Sequence, residues 1–264
     1  MKTRFRATTT FSIGEGGKSV KMSIKVSLCM LALLICAVVA SAANMNGPVT
    51  IRVSSLDNSA VWQQTYNPVQ SGNTWSYQLD QPVDLVYSGN QLGRLTSLAF
   101  GVQGDPAISL DFAIHAFVPV NVFIDSGTLT FAPINNPTAF ATGGLTLTAD
   151  NNGATLDGNF SGGKAYEATY NGGTVFADLL PSFSAQPTTT NTENDRFPPT
   201  GLATVGTSVS SMRSQYSFSL SGGDDASGTS RFSMEPVPDA STLALAFAGC
   251  APLLGGLALR RRRA

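Results

Sequence analysis

One histidine, His115, and fifteen carboxylates are what residues 43–235 offer to chemistry, and this stretch holds no cysteine. A histidine-based triad would have to be built around His115, and there is no Gly-x-Ser-x-Gly elbow to supply a serine. A thiol mechanism lacks its nucleophile, and the zinc sites that take two histidines lack one. Neither a catalytic residue nor a metal ligand set is therefore assigned. Two acidic stretches have the look of cation loops: "DNNGATLDGN" at 150–159, and "GGDDASG" at 222–228 with Asp224 and Asp225. In the first, Gly153 follows Asp150 by only three positions and no glutamate stands twelfth, so the EF-hand spacing fails. Hairpin turns account for the first set of letters and a solvated loop for the second. No cofactor is expected, with calcium as the alternative.

A glycosidase needs only two carboxylates, which can lie far apart in sequence. An exported hydrolase is therefore a rival that the letters neither exclude nor locate. Trp62, Tyr66, Trp75 and Tyr77 lie close in sequence and suit either a sugar-stacking platform or core anchors. The first choice would make the chain a carbohydrate- or partner-binding module.

The elements that must position these residues read as strands. In "ISLDFAIHAF", Ile108, Leu110, Phe112 and Ile114 alternate with Ser109, Asp111, Ala113 and His115. Leu145 and Leu147 alternate with Thr146 and Thr148, and Tyr216, Phe218 and Leu220 alternate with Ser217, Ser219 and Ser221. Such period-2 patterns mark strands with one buried and one solvated face. Turn letters fall between such runs: Ser88-Gly89-Asn90, Asp105-Pro106, Asn151-Asn152-Gly153, Asp157-Gly158, Asn171-Gly172-Gly173 and Ser221-Gly222-Gly223-Asp224. The expectation is an all-β fold, a single-domain antiparallel β-sandwich or jelly roll. Residues 184–201, polar and proline-bearing, are expected to form a long loop.

Charge is distributed unevenly. The chain is at −1, yet residues 43–235 carry six basic and fifteen acidic residues, a net of −9. A domain of that sign repels phosphate backbones, so nucleic acid is not expected as a partner. Ten of the sixteen basic residues stand at the two ends, which read as targeting segments. Residues 22–42, "MSIKVSLCMLALLICAVVASA", have the basic Lys25, an apolar stretch from Val26 to Val39, and small residues Ala40 and Ala42 for signal cleavage. Either 1–21 extends the basic region, or Met22 is the true start. Cys36 follows Ile35, which is too large for a lipoprotein site. All three cysteines, Cys29, Cys36 and Cys250, fall in these ends, so the body between has no disulfide framework.

At the other end, 243–259 contains seventeen residues without a charge, followed by Arg260, Arg261, Arg262 and Arg263. With Ser241 and Thr242 it would span about 28 Å as a helix, close to the ~30 Å hydrocarbon core of a bilayer. The positive-inside rule then keeps the arginines cytoplasmic and the β domain outside. Organisation is thus 1–42 signal peptide region, 43–235 exported domain and 236–264 tail.

Val237, Pro238, Asp239, Ala240, Ser241 and Thr242, an apolar helix and an arginine cluster together resemble the PEP-CTERM sorting signal of Gram-negative bacteria. Val237 and Pro238 match that signal; Asp239 stands where its glutamate would be and Ala240 where its second proline would be, with Val-Pro-Asp shared with the VPDSG-type variant. The resemblance implies an exosortase as processing enzyme, with Pro238 and Asp239 recognised, 243–259 retaining the chain in the inner membrane and Arg260–Arg263 as the stop. It implies delivery to the cell surface or extracellular matrix, where polysaccharide is a partner. The expected function is that of a non-enzymatic surface or matrix protein.

Overall fold

The period-2 alternation of apolar and polar residues becomes strand after strand. The structure is a computed structural model and describes residues 43–237, all within one compact unit, Ser41–Ala264. In chain order come β1 (Asn44–Asn46), β2 (Val49–Ser55), β3 (Val61–Tyr66), β4 (Val69–Ser71), β5 (Thr74–Gln78) and β6 (Val83–Tyr87). Longer strands follow: β7 (Asn90–Gln103), β8 (Ala107–Ala116), β9 (Val120–Asp125), β10 (Thr128–Asn135) and β11 (Thr138–Thr148). Then come β12 (Ala154–Gly158), β13 (Lys164–Tyr170), β14 (Thr174–Pro181), β15 (Phe183–Ala185), β16 (Thr190–Phe197) and β17 (Ala203–Thr204). The described chain closes with β18 (Ser208–Leu220) and β19 (Asp225–Glu235). Among the described residues, every regular element is a strand and no helix is long and apolar enough to cross a membrane.

The strands form two antiparallel sheets. Sheet I runs β1-β10-β18-β9-β2-β3, with β12, β13, β14 and β15 attached beside β18. Sheet II runs β16-β11-β19-β8-β7-β5-β4, with β6 beside β7 and β17 beside β11. The protein is all-β, and its sheets enclose one core, as in a sandwich. Phe112 of sheet II lies edge-on to Tyr216 of sheet I, ring centroids 5.0 Å apart, and stacks on Phe218 at 6.0 Å. The Tyr216 hydroxyl crosses the core and donates to the Thr229 carbonyl of sheet II at 2.6 Å. Gly228 is glycine because a Cβ there would come within 2.5 Å of the Phe112 ring.

Burial follows the expected alternation. Ile108, Leu110, Phe112 and Ile114 are buried while Ser109, Asp111, Ala113 and His115 face outward on β8. Leu145 and Leu147 on β11, and Tyr216, Phe218 and Leu220 on β18, are likewise inside.

Two local expectations need correction. Residues 184–201 contain the end of β15 and all of β16, which pairs with β11 from Thr148↔Thr190 to Ala141↔Phe197. Its sequence, "TNTENDRF", is polar on both faces, so alternation was invisible; pairing comes instead from the backbone ladder and from Thr146–Thr192 and Thr148–Thr190 hydroxyl contacts of 3.1 and 3.0 Å. Asp157-Gly158 is not a turn but the end of β12. A Cβ on Gly158 would overlap the Lys164 backbone, so the residue is small for a close approach.

Candidate functional site

The outer side of sheet II is built from the small polar residues left over by the alternation. Registers align Ser76, Gly101, Ser109, Arg231, Thr142 and Arg196 in one row across β5, β7, β8, β19, β11 and β16. The next row holds Ala99, Asp111, Thr229, Gly144 and Asn194. Because these side chains are short, the face is hollowed rather than ridged. A groove of about 680 Å³ lies over Thr142, Gly144, Asn194, Arg196, Thr229 and Arg231. A second hollow of about 210 Å³ shares Arg231 and extends over Ser109, Gly101 and Ser76. A third, of about 200 Å³, shares Thr229, Gly144 and Asn194 and reaches Asp111.

Two guanidinium groups face this groove. Arg196 is fixed by donating to the carbonyls of Pro198 (2.9 Å) and Gly201 (2.7 Å), and it lies 5.2 Å above the Phe140 ring. Carbonyls and a π face orient a cation without neutralising it. Arg231 is exposed, and among the described residues it has no carboxylate partner.

The outer side of sheet I carries a different arrangement. Asp178, Glu167, Gln215, Asp125 and Thr50 form a row across β14, β13, β18, β9 and β2. Arg213, one row away, chelates both oxygens of Asp125 through Nε and Nη2. Burial first, then the facing Asp178 carboxylate, pushes the Glu167 carboxyl up from 4.5, with Arg213 opposing. The Asp178 Oδ1 is buried without a hydrogen-bond partner.

His115, at the edge of the sheet II face, contacts Asp225 through Nδ1 at 3.0 Å and packs edge-on against Phe117. The two acidic stretches meet at Asp150 and Asp224. Asp224 does not lie in a solvated loop: it is fully buried, and its oxygens accept from the Asp150 amide (3.0 Å) and the Ser221 hydroxyl. Its backbone carbonyl accepts from Ala116, so one residue ties the β8, β11 and β18 ends together. Among the described residues, no three His, Cys, Asp or Glu side chains gather as a metal site.

Tyr66 and Trp75 are buried, and Trp62 and Tyr77 are half-buried. Tyr66 and Tyr77 pack with ring centroids 5.0 Å apart. Burial pushes the Tyr66 hydroxyl up to about 12. These four are packing anchors rather than an open stacking platform. Val237 is exposed at the end of the described chain. The other predicted residues, Ala40, Ala42, Pro238, Asp239, Ala240 and Arg260–Arg263, lie outside the described residues, as do the signal peptide and the 243–259 helix.

Sequence reasoning missed the Arg231–Thr142–Arg196 row and the Glu167–Asp178 pair. The outward alternation of Ser227, Thr229 and Arg231 was readable, but which strands flank it was not.

No protein-family model matches the chain, and no curated protein does. Among solved structures, the infectious bursal disease virus Gx strain is similar at 11% identity and a TM-score of 0.26, over 73% of this chain and 56% of that one. The structure of the Gt strain of the same virus gives 11% identity and a TM-score of 0.21, over 74% of this chain and 67% of that one. The chain therefore spans little more than half the length of the first of these.

Proposed function

We propose that this protein is a non-enzymatic surface or extracellular-matrix protein, exported through 1–42 and sorted by its PEP-CTERM-like tail. The observation that carries the reading is the tail sequence itself: Val237–Ala240, an uncharged stretch at 243–259, then Arg260–Arg263. The signal peptide would be cut after Ala42. The tail helix would hold the chain in the inner membrane, arginines on the cytoplasmic side, until an exosortase-type enzyme acts near Pro238 and Asp239. The sandwich domain is then released to the cell surface or matrix, in contact with polysaccharide.

The placement of the last strand supports this reading. β19 starts at Asp225, beside the β18–β19 turn, and runs away from it, so Glu235 and Val237 emerge exposed at the opposite end. A processing enzyme would meet Val237, the first residue of its motif, exposed at that end. The test is expression with and without an exosortase, followed by mass measurement of the mature C-terminus. Loss of the tail only where the enzyme is present is expected; a tail ending in Ala264 in both backgrounds would overturn the proposal.

A further inference from the structure

We infer that the outer face of sheet II is a binding site for an extended, carboxylate-bearing polysaccharide, with Arg231 and Arg196 as its charged contacts. The site is read from the groove; it rests on the proposed export only for where the protein meets the polymer.

Charge is the first argument. The domain has six basic residues against fifteen acidic ones, yet two of the six share one row, separated only by Thr142. Two strand spacings place their backbones roughly 10 Å apart. Like charges held that close on one face repel, and no carboxylate stands between them. Of the other three arginines, Arg213 pairs with Asp125 and Arg94 with Asp84 at 3.3 Å, while Arg52 stands singly on the other sheet, exposed and with no groove beside it among the cavities described. Arg196 and Arg231 are thus left to an outside anion, and a guanidinium fork matches a carboxylate in two hydrogen bonds.

Shape is the second. The hollows adjoin through Arg231 on one side and through Thr229, Gly144 and Asn194 on the other. Together they cross the strands from β5 to β16, roughly 24 Å at ordinary strand spacing. A free phosphate or acetate would fill only the arginine row. The remainder sets hydroxyl, amide and glycine groups, with Asp111 as an acceptor, over a floor that includes Val102, Ile108 and Phe112, a mixture matching the hydroxyls and C–H faces of a sugar ring. Such a surface suits sugar hydroxyls better than the apolar side chains of a peptide. Asp195, which also borders the main groove, is turned to the backbone amides of Leu180 and Arg196. The net charge of −9 opposes a polyanion at long range, but at physiological salt that field fades within about 8 Å, leaving the local arginines to decide.

The test is affinity electrophoresis of the full-length chain, held in neutral detergent, through gels containing alginate, dextran or single-stranded DNA. Retardation by alginate alone is expected. Arg231→Gln should weaken it at least tenfold, whereas Arg52→Gln, a charge-matched change on the other sheet, should leave it within twofold. Arg196→Gln alters a residue that also holds the 198–201 segment, so Arg231→Gln with an unchanged Tm is the deciding variant. Absence of retardation, equal loss with Arg52→Gln, or equal retention by DNA would each overturn the inference. Tail cleavage is read separately by mass: a chain that is cleaved but not retained breaks this inference alone, and one retained but never cleaved breaks only the sorting proposal.

Discussion

The two outer faces of the sandwich are both polar, yet they treat charge in opposite ways. Across the middle of sheet I, charges are paired or pressed together: Arg213 grips Asp125, and Glu167 faces Asp178 across adjacent strands, with Arg52 standing apart on β2. On sheet II the Arg94–Asp84 and His115–Asp225 contacts are confined to one end row, and around the groove charges are spaced out among serines, threonines and glycines, with Arg231 without a carboxylate partner among the described residues. The first pattern spends its charged groups on holding the sheet. The second leaves them to solvent or to a ligand, and the short side chains around them open the groove. Polarity alone therefore does not mark a binding face; unpaired charge beside empty volume does.

Five substitutions test that contrast, beginning with the support common to both faces. Phe112→Ala should cost about 3–5 kcal/mol, because the ring packs on Tyr216 and Phe218 of the opposite sheet. Denaturant unfolding measures it, and a loss under 1 kcal/mol would show that the sheets do not share this core. Asp224→Ala strips the acceptors of the Asp150 amide and the Ser221 hydroxyl at a fully buried site. A loss of roughly 3 kcal/mol is expected, a fall in Tm of about 6–12 °C for a domain of this size.

The direct comparison sets Arg213→Met against Arg231→Met. The first leaves the half-buried Asp125 carboxylate with only the Gly127 amide, at 3.0 Å, and should cost roughly 1–3 kcal/mol. The second should fall within about 0.5 kcal/mol of wild type. Equal costs would erase the distinction between the faces.

The smallest effect concerns pH. Glu167 is pushed above its ordinary 4.5 by burial and by Asp178, so the folded state binds its proton more tightly than the unfolded one. Stability from this group is therefore gained as pH falls from neutrality through the raised value toward 4.5, and lost as pH rises. Glu167→Gln should remove that slope and be at least as stable as wild type at pH 7. Urea unfolding between pH 4 and 8 reads it, and parallel curves for the two proteins would contradict the assignment.

Legibility in the sequence tracked how local each feature is. β8, β11 and β18 could be read because their own letters alternate, and their buried and outward residues follow that reading. β16 could not, since Thr190, Asn191, Thr192, Glu193 and Asn194 are polar whichever way they point. Asp224 looked like a solvated loop residue among glycines. Its burial depends on an amide seventy-four positions away in sequence, at Asp150. The aromatic quartet was ambiguous until packing placed Tyr66 and Trp75 inside.

By itself, the sequence determined that this is an all-β protein without cysteine between its ends, acidic in its body, with an apolar and arginine-capped tail. Those properties are sums or short-range patterns, and a strand's inward face follows from a period of two. Tertiary structure alone decided that Arg231, Thr142 and Arg196 share a row and that Glu167 meets Asp178. Each such meeting depends on which strand lies beside which and in what register, a choice made by burying the whole core at once.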